Sequence, residues 1–476
     1  MNPTRFSLMR RSAPLLTALL LAGCASLSPD GGLADVQQLS AGKTAGSHVT
    51  LSKDSDAINS TVAELLKQPV TADAAVRIAL LNNAALQGSL ATLGISDAQR
   101  VQAGRAPNPH FSLGRFTEGN KLEIERVLRF DVVGLLMLPW RAEWQGQQHE
   151  LAKLQAAQEV IRLATDTRKT WINAVAAQQS VQYLENVKEA TEAGTELARR
   201  MARVGNWSRL QEAREKVFLA DATAQLARAR QAAFSEREKL IRLMGLWGTQ
   251  TQFTLTPRLP DLPEQLNEVR DIEAQALRER LDVRSAVTEA AYVADSLGLV
   301  KATGYLNGLT LSYKYNTTFD NATAGKDNKR GFELELPLPI FDWGSARNAR
   351  AEGMYMQSAA RVRDVAVKAR SEAREAWHGW RTAYDIARSY RDEVVPLRKL
   401  ISDEVQLRYN GMLASVWDLL GDMRQQVMSV NNAIEAQRDF WLADADLELT
   451  LTGTSPGGLT RLKNSSAAAS GATQGH

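Results

Sequence analysis

Apolar residues along this chain follow two different periods. Residues 309–319 read LTLSYKYNTTF: Leu309, Leu311, Tyr313, Tyr315 and Phe319 fall on one side, Thr310, Ser312, Lys314, Asn316 and Thr318 on the other. Period two is the signature of a β-strand with one apolar face. Residues 332–338 repeat it, and Leu122, Ile124, Leu128 and Phe130 alternate with Glu123, Glu125, Arg129 and Asp131. A shorter strand is expected from Phe111 to Phe116, after Pro107 and Pro109, and a turn-forming stretch from Asp320 to Lys329. The pattern predicts four strands in two pairs, about 108–138 and about 308–341. Such alternation fits transmembrane barrel strands and equally a half-buried soluble sheet. Four strands cannot close a membrane barrel, which takes about eight or more. Open edges in lipid are prohibitive, so strands in a membrane would have to be pooled by several protomers.

Elsewhere the period is helical and proline is scarce. No proline occurs between Pro139 and Pro257, and only Pro396 between Pro339 and Pro456. These stretches are rich in Ala, Leu, Glu, Gln, Arg and Lys, the strong helix formers. Residues 140–203 as one helix would run about 95 Å, a rod suited to a coiled coil. Leu154, Ile161 and Val175 keep a seven-residue spacing that Arg168 interrupts. A turn is expected at Val204-Gly205-Asn206, followed by a helix from Trp207 to Met244.

The layout recurs about 200 residues later. Ala79-Leu80-Leu81-Asn82-Asn83 corresponds to Ala276-Leu277-Arg278-Glu279-Arg280. Arg203-Val204-Gly205 with Ser208 and Leu210 is echoed by Arg408-Tyr409-Asn410-Gly411 with Ser415 and Leu419, and Leu243-Met244-Gly245 by Leu451-Thr452-Gly453. The shared order predicts an internal duplication. The resulting division is a first repeat at 61–248, with strands at about 108–138 and a helical hairpin at 140–247. A connection at 249–269 leads to a second repeat at 270–453, with strands at about 308–341 and a hairpin at 344–452.

Composition changes the picture mainly at the N-terminus. The 57 Lys and Arg against 54 Asp and Glu leave a net charge of +3, too small for a nucleic-acid footprint. Residues 1–23 hold Arg5, Arg10 and Arg11 and no acid, so the remainder is formally neutral. Those arginines precede an apolar run from Ala13 to Ala22, too short for a stable span, as in a signal peptide. Leu21-Ala22-Gly23-Cys24 resembles the lipobox of bacterial lipoproteins, which implies cleavage before Cys24 and lipidation, palmitate included, of that only cysteine. An ordinary signal peptide with an accidental cysteine is the alternative. Acyl chains contribute roughly 0.8 kcal/mol per buried CH₂, so several make a firm anchor. Residues 24–60 are expected to extend from that anchor, and 454–476 to be a disordered tail. One cysteine excludes a disulfide framework. His48, His110, His149, His378 and His476 are scattered, and no phosphate-binding Gly-rich loop is present. Nothing positive supports an enzyme, a metal site or a cofactor other than the covalent lipid.

The chain resembles the TolC/OprM family of outer-membrane efflux proteins, in its lipid-anchored branch. The resemblance covers roughly residues 60–453 and rests on Ala75 to Leu86, on Pro337-Leu338-Pro339-Ile340-Phe341-Asp342-Trp343-Gly344 with Arg347, and on the two hairpin tips. It implies a mixed α and β membrane protein: a homotrimer whose twelve-stranded β-barrel, four strands per protomer, continues into a periplasmic α-helical barrel. The implied activity is passive conduction across periplasm and outer membrane, driven by an inner-membrane pump, of the RND type, through a periplasmic adaptor. Drug efflux, metal efflux and type I protein secretion are not separated by the sequence, and a periplasmic coiled-coil structural lipoprotein is the rival from another class. Arg203, Gly205, Ser208, Arg408, Gly411 and Ser415 match the family's adaptor-docking tips, where glycine would permit a positive φ. The arginines also read as helix C-terminal charges favoured by the dipole. Tyr409, Asp418 and Asp422 are the implied periplasmic gate, with Asp422 displaced by one residue because Gly421 takes the second aspartate's place; Leu413 stands where some members carry arginine. As a solvated face residue, Asp418 would have no such role.

Overall fold

The computed structural model describes residues 26–44, 46, 49, 51, 55–266, 270–303, 308–320, 322–336, 338 and 340–460. Cys24, the signal segment 1–23, His48, Pro337, Pro339 and residues 461–476 of the expected tail lie outside the described residues. The chain forms two compact units. One gathers residues 26–35, Leu90–Gln155 and Ser285–Asp364, the other Val36–Ser89, Ala156–Arg284 and residues 365–460. Each unit therefore draws on both halves of the sequence.

The first unit contains the sheet. Strands β1 (His110–Glu118), β2 (Lys121–Asp131), β3 (Thr310–Asp320) and β4 (Gly325–Glu335) are antiparallel in the order β1-β2-β3-β4. The central β2–β3 pairing joins residues almost 200 positions apart, with Leu128 opposite Tyr313 and Phe130 opposite Leu311. Its apolar face continues to both edges, through Phe111 opposite Leu128 and Phe332 opposite Tyr313. The other face is polar: Asn316 Nδ2 donates to Glu123 Oε1 at 2.8 Å, and Lys314 pairs with Glu333. The structure shortens the expected turn at Asp320–Lys329, because β4 already begins at Gly325. GKDNKR carries no apolar alternation, and backbone bonding to β3 alone makes it a strand. The first strand pair stops at Asp131 rather than near 138. There the Asp131 carboxylate accepts from Gly134 N at 2.8 Å and starts a short helix, α5 (Val132–Leu136). The second stops at Glu335 rather than near 341.

The N-terminal segment of this unit is folded, not simply extended. Asp30 accepts from Ala34 N at 2.8 Å ahead of helix α1 (Leu33–Ser40), and those bonds hold its carboxyl down at about 2. Ser28 N donates to Asp97 Oδ2 at 2.7 Å, and Lys153 pairs with Asp35 at 2.6 Å.

The second unit is helical, and several of the helices that follow begin or end within the first unit. Helices α2 (Ser55–Leu65) and α3 (Ala72–Asn82) lead into α4 (Ala84–Ala103). The first long hairpin is α6 (Leu138–Arg203) and α7 (Arg209–Met244). After α8 (Ile272–Glu279) and α9 (Leu281–Thr303), the second is α10 (Ser345–Ser389), a π-turn at Tyr390–Val394, α11 (Val395–Asn410) and α12 (Val416–Thr452). The π-turn lies just before Pro396, whose missing N–H and ring are incompatible with an unbroken ladder. One core packs Ile78, Trp171, Val175, Leu240, Met244 and Leu259. A second sets Ala373, Ala376, Ala383 and Ala387 of α10 against Phe440 and Leu447 of α12, small residues that permit close approach. Arg168, which breaks the heptad, pairs with Glu448 of α12 at 2.8 Å.

The duplicated motifs have matching jobs. In the first repeat α3 breaks at Asn82-Asn83, and Asn82 Nδ2 donates to the Met244 and Gly245 carbonyls at 3.1 and 2.8 Å. In the second, α8 breaks at Arg280 and Leu281 N donates to Gly453 O at 2.8 Å. No single helix among the described residues is long and apolar enough to cross a membrane.

Candidate functional site at the hairpin tips

Both tips lie in the second unit. At the first, α6 ends at Arg203 and the chain reverses through Gly205, whose φ is +79°. Asn206 N donates to Met201 O at 3.0 Å and Gly205 N to Ala202 O at 3.1 Å, the pattern of a left-handed helix stop. Ser208 then caps α7: its hydroxyl accepts from Gln211 N at 3.2 Å, and Gln211 Oε1 accepts from Ser208 N at 2.7 Å. Arg203 is exposed and has no ion pair among the described residues.

The second tip reaches the same reversal differently. Gly411 was expected to supply a positive φ, but its φ is −81°, and Met412 holds the left-handed position at +60°. A Cβ there costs about 1–2 kcal/mol, which glycine would have avoided. Met412 and Leu413 are nearly fully exposed at 93% and 81%, so the conformation presents two apolar side chains at the tip. Val204 and Leu210 do the same at the first tip. Arg408 pairs with Glu404 one turn back at 3.0 Å. Tyr409 is half-buried.

Asp418 belongs to a capping box. Its carboxylate accepts from Ser415 N at 2.9 Å and from Ser415 Oγ at 2.7 Å, while Ser415 Oγ accepts from Asp418 N at 3.2 Å. These bonds hold its carboxyl below the usual range. Thus Asp418 is the counterpart of Gln211, with a charge where the first tip has an amide. Asp422, one turn on, is buried at 9% exposure, and its Oδ2 has no hydrogen-bond partner among the described residues.

What brings the tips together was not singled out in the sequence. Trp207, just before the Ser208 cap, stacks on Trp417, just after the Ser415 cap, with ring centroids 4.6 Å apart. Behind them Glu215 of α7, 1% exposed, accepts from Arg424 of α12 at 3.0 Å, and the Arg424 guanidinium lies 4.3 Å over the Phe218 ring. Burial pushes the Glu215 carboxyl up, and Arg424 partly opposes it. Glu215 Oε2 and Arg424 Nε have no partner among the described residues. The signal was present in the duplication: each repeat carries a tryptophan within two residues of its capping serine.

Among the described residues no group of three or more His, Cys, Asp and Glu is placed to hold a metal ion. His149 is buried against Ser96 at 3.3 Å, and His378 sits on exposed α10 beside Thr382 at 3.1 Å. The site offers charge, apolar tips and a helix-to-helix clasp.

No protein-family model and no curated protein matches the sequence. Solved structures do. A membrane protein from Pseudomonas aeruginosa gives a TM-score of 0.67 at 16% identity, over 82% of this chain and 93% of its own. The outer-membrane channel OprN gives 0.64 at 17% identity, over 83% and 90%. The open state of the Neisseria gonorrhoeae MtrE outer membrane channel gives 0.63 at 16% identity, over 82% and 89%. The fold is that of outer-membrane channels, mostly helical with four strands in one sheet among the described residues, as the resemblance implied.

Proposed function

We propose that the chain is one protomer of an outer-membrane exit duct of the TolC/OprM kind, part of a tripartite efflux system. The observation that carries this reading is a four-stranded sheet with unpaired β1 and β4 edges, on a chain that shares its fold with outer-membrane channels over more than four fifths of its length. An open edge is not tolerated in lipid, so three copies pair β4 to β1 and close a twelve-stranded barrel. The long hairpins then continue it as an α-helical barrel in the periplasm. Cys24 carries the lipid that fixes the protomer to the outer membrane, and no further cofactor is used. The chain is not an enzyme; it conducts passively, and an inner-membrane pump, of the RND type, supplies the energy through a periplasmic adaptor.

The tips are the docking end. Val204, Leu210, Met412 and Leu413 give apolar contacts to the adaptor, and Arg203 and Arg408 give charge, on turns that reverse through the left-handed Gly205 and through Met412, which follows Gly411, and that are capped by Ser208 and Ser415. Asp418, Asp422 and Tyr409 belong to the gate. Single-channel recording of the purified protein in planar bilayers tests the reading. Discrete conductance steps are expected, from a trimer that survives sample buffer cold and dissociates on boiling. A monomer without conductance would favour a structural lipoprotein instead.

A further inference from the structure

The two faces of the sheet differ in the sign of their charge. The register places Phe130, Leu311 and Leu334 in one row of the apolar face, and Phe111, Leu128, Tyr313 and Phe332 in the next. Those two rows, nearest the helices, hold no charge. The three rows toward the hairpin turns, about 7 Å apart, hold Arg126 and Arg330, then Arg115, then Lys326. All eight strand carboxylates, Glu125 and Glu333 among them, lie on the opposite face. Four cations without a single acid thus crown the apolar rows.

Aromatic and hydroxyl groups hold two of these cations in place. Arg126 lies 5.4 Å over the Tyr315 ring and donates to Thr317 Oγ1 at 3.2 Å, and Lys326 sits 5.7 Å from the Phe319 ring. None of the four has a carboxylate partner among the described residues, whereas the opposite face makes the Lys314–Glu333 pair. A lipid-facing arginine at mid-membrane would cost about 2–4 kcal/mol, falling toward zero at the interface. Cations beyond an apolar band therefore belong at headgroup level, where unpaired guanidinium groups take phosphate in bidentate fashion.

We propose that Arg115, Arg126, Lys326 and Arg330 form a binding surface for phosphorylated lipid headgroups on the face of the barrel turned to the membrane. The proposal rests on the duct reading, which supplies the membrane. The occupant is the phosphorylated headgroup of a membrane lipid, since the apolar rows below the cations match acyl chains and a free phosphate would leave them uncovered.

The test uses the full-length chain in detergent, titrated with bisphosphorylated lipid A in mixed micelles, with adducts counted by native mass spectrometry. The wild type is expected to retain lipid A, and the triple variant R115Q/R126Q/R330Q to bind it about tenfold more weakly, near 1.4 kcal/mol. R115K/R126K/R330K, which keeps the charge, is expected to stay within about threefold of wild type. Dephosphorylated lipid A is expected to bind wild type no better than the Gln variant, and inorganic phosphate alone to give no adduct. Equal retention by wild type and Gln variant, or equal binding of the dephosphorylated lipid, overturns the proposal. Membrane fractionation separates the two readings: with the chain in the outer membrane as a trimer, those results overturn the headgroup surface alone, whereas its absence from that membrane overturns the duct as well.

Discussion

Two glycines that follow helix ends, Gly245 and Gly411, do different work, and only backbone geometry tells them apart. Gly245 ends α7 at φ +66°, and a Cβ there would lie 2.6 Å from the Asn82 carbonyl oxygen. Gly411 has an ordinary negative φ, and its Cβ would meet nothing closer than 3.5 Å. Gly245→Ala is expected to destabilise by about 2–4 kcal/mol, from strain plus a backbone clash, and Gly411→Ala by about 0.5 kcal/mol or less. Thermal melting of the two purified variants checks the contrast. Asp418 poses a similar question, since it caps a helix and carries a charge at the proposed gate. Asp418→Gln copies the first tip, where Gln211 closes the capping box. It is expected to leave the melting temperature unchanged and to weaken cation block of single-channel conductance. Unchanged block with an intact cap would reduce Asp418 to a capping residue.

Between elements, the joint of interest is α7 against α12. The Trp207–Trp417 stack and the Glu215–Arg424 pair tie the first hairpin to the second. A double-mutant cycle on the two tryptophans is expected to give a coupling of about 0.5–1.5 kcal/mol, read from thermal melting. Glu215 also makes a pH prediction. Its carboxyl is raised by burial, so the folded chain holds the proton more tightly than the unfolded chain. Stability is then gained as pH falls through the raised value and lost as pH rises above it. Melting curves from neutral pH down to the ordinary carboxylate range are expected to show this gain in wild type. The gain shrinks in Glu215→Gln, which keeps a hydrogen-bond acceptor for Arg424 without the charge. A variant as pH-dependent as wild type would assign the effect to other carboxylates, of which Asp166, Asp444 and Glu448 are also raised by burial.

For the whole molecule, the prediction is the trimer and its anchor. On the proposed duct, Cys24→Ser is expected to remove the proposed lipid, seen as a loss of acyl mass, while the proposed heat-sensitive trimer persists, because strand pairing rather than the lipid would close such a barrel. Much of this architecture was legible in the chain. Leu309 to Phe319 named β3 by its alternation, and the proline-free stretches named α6, α7, α10 and α12. Other parts carried no such signal. β4 starts inside the polar run Gly325–Arg330, where a strand is made by its neighbour's backbone. The α11 boundary follows from a π-turn, a local response to Pro396 that periodicity does not register.

By itself the sequence determined the periods and most of the helix stops, because these depend on residues within a few positions of one another. Glycine, proline, capping serines and apolar spacing act through local backbone energetics. Only the tertiary structure decided that Met412 rather than Gly411 takes the left-handed position and that Trp207 meets Trp417. The register that sorts the strand cations from the carboxylates is likewise tertiary. Each of these depends on residues brought together from distant parts of the chain or on the exact path of a turn, and a linear pattern contains neither distance nor register.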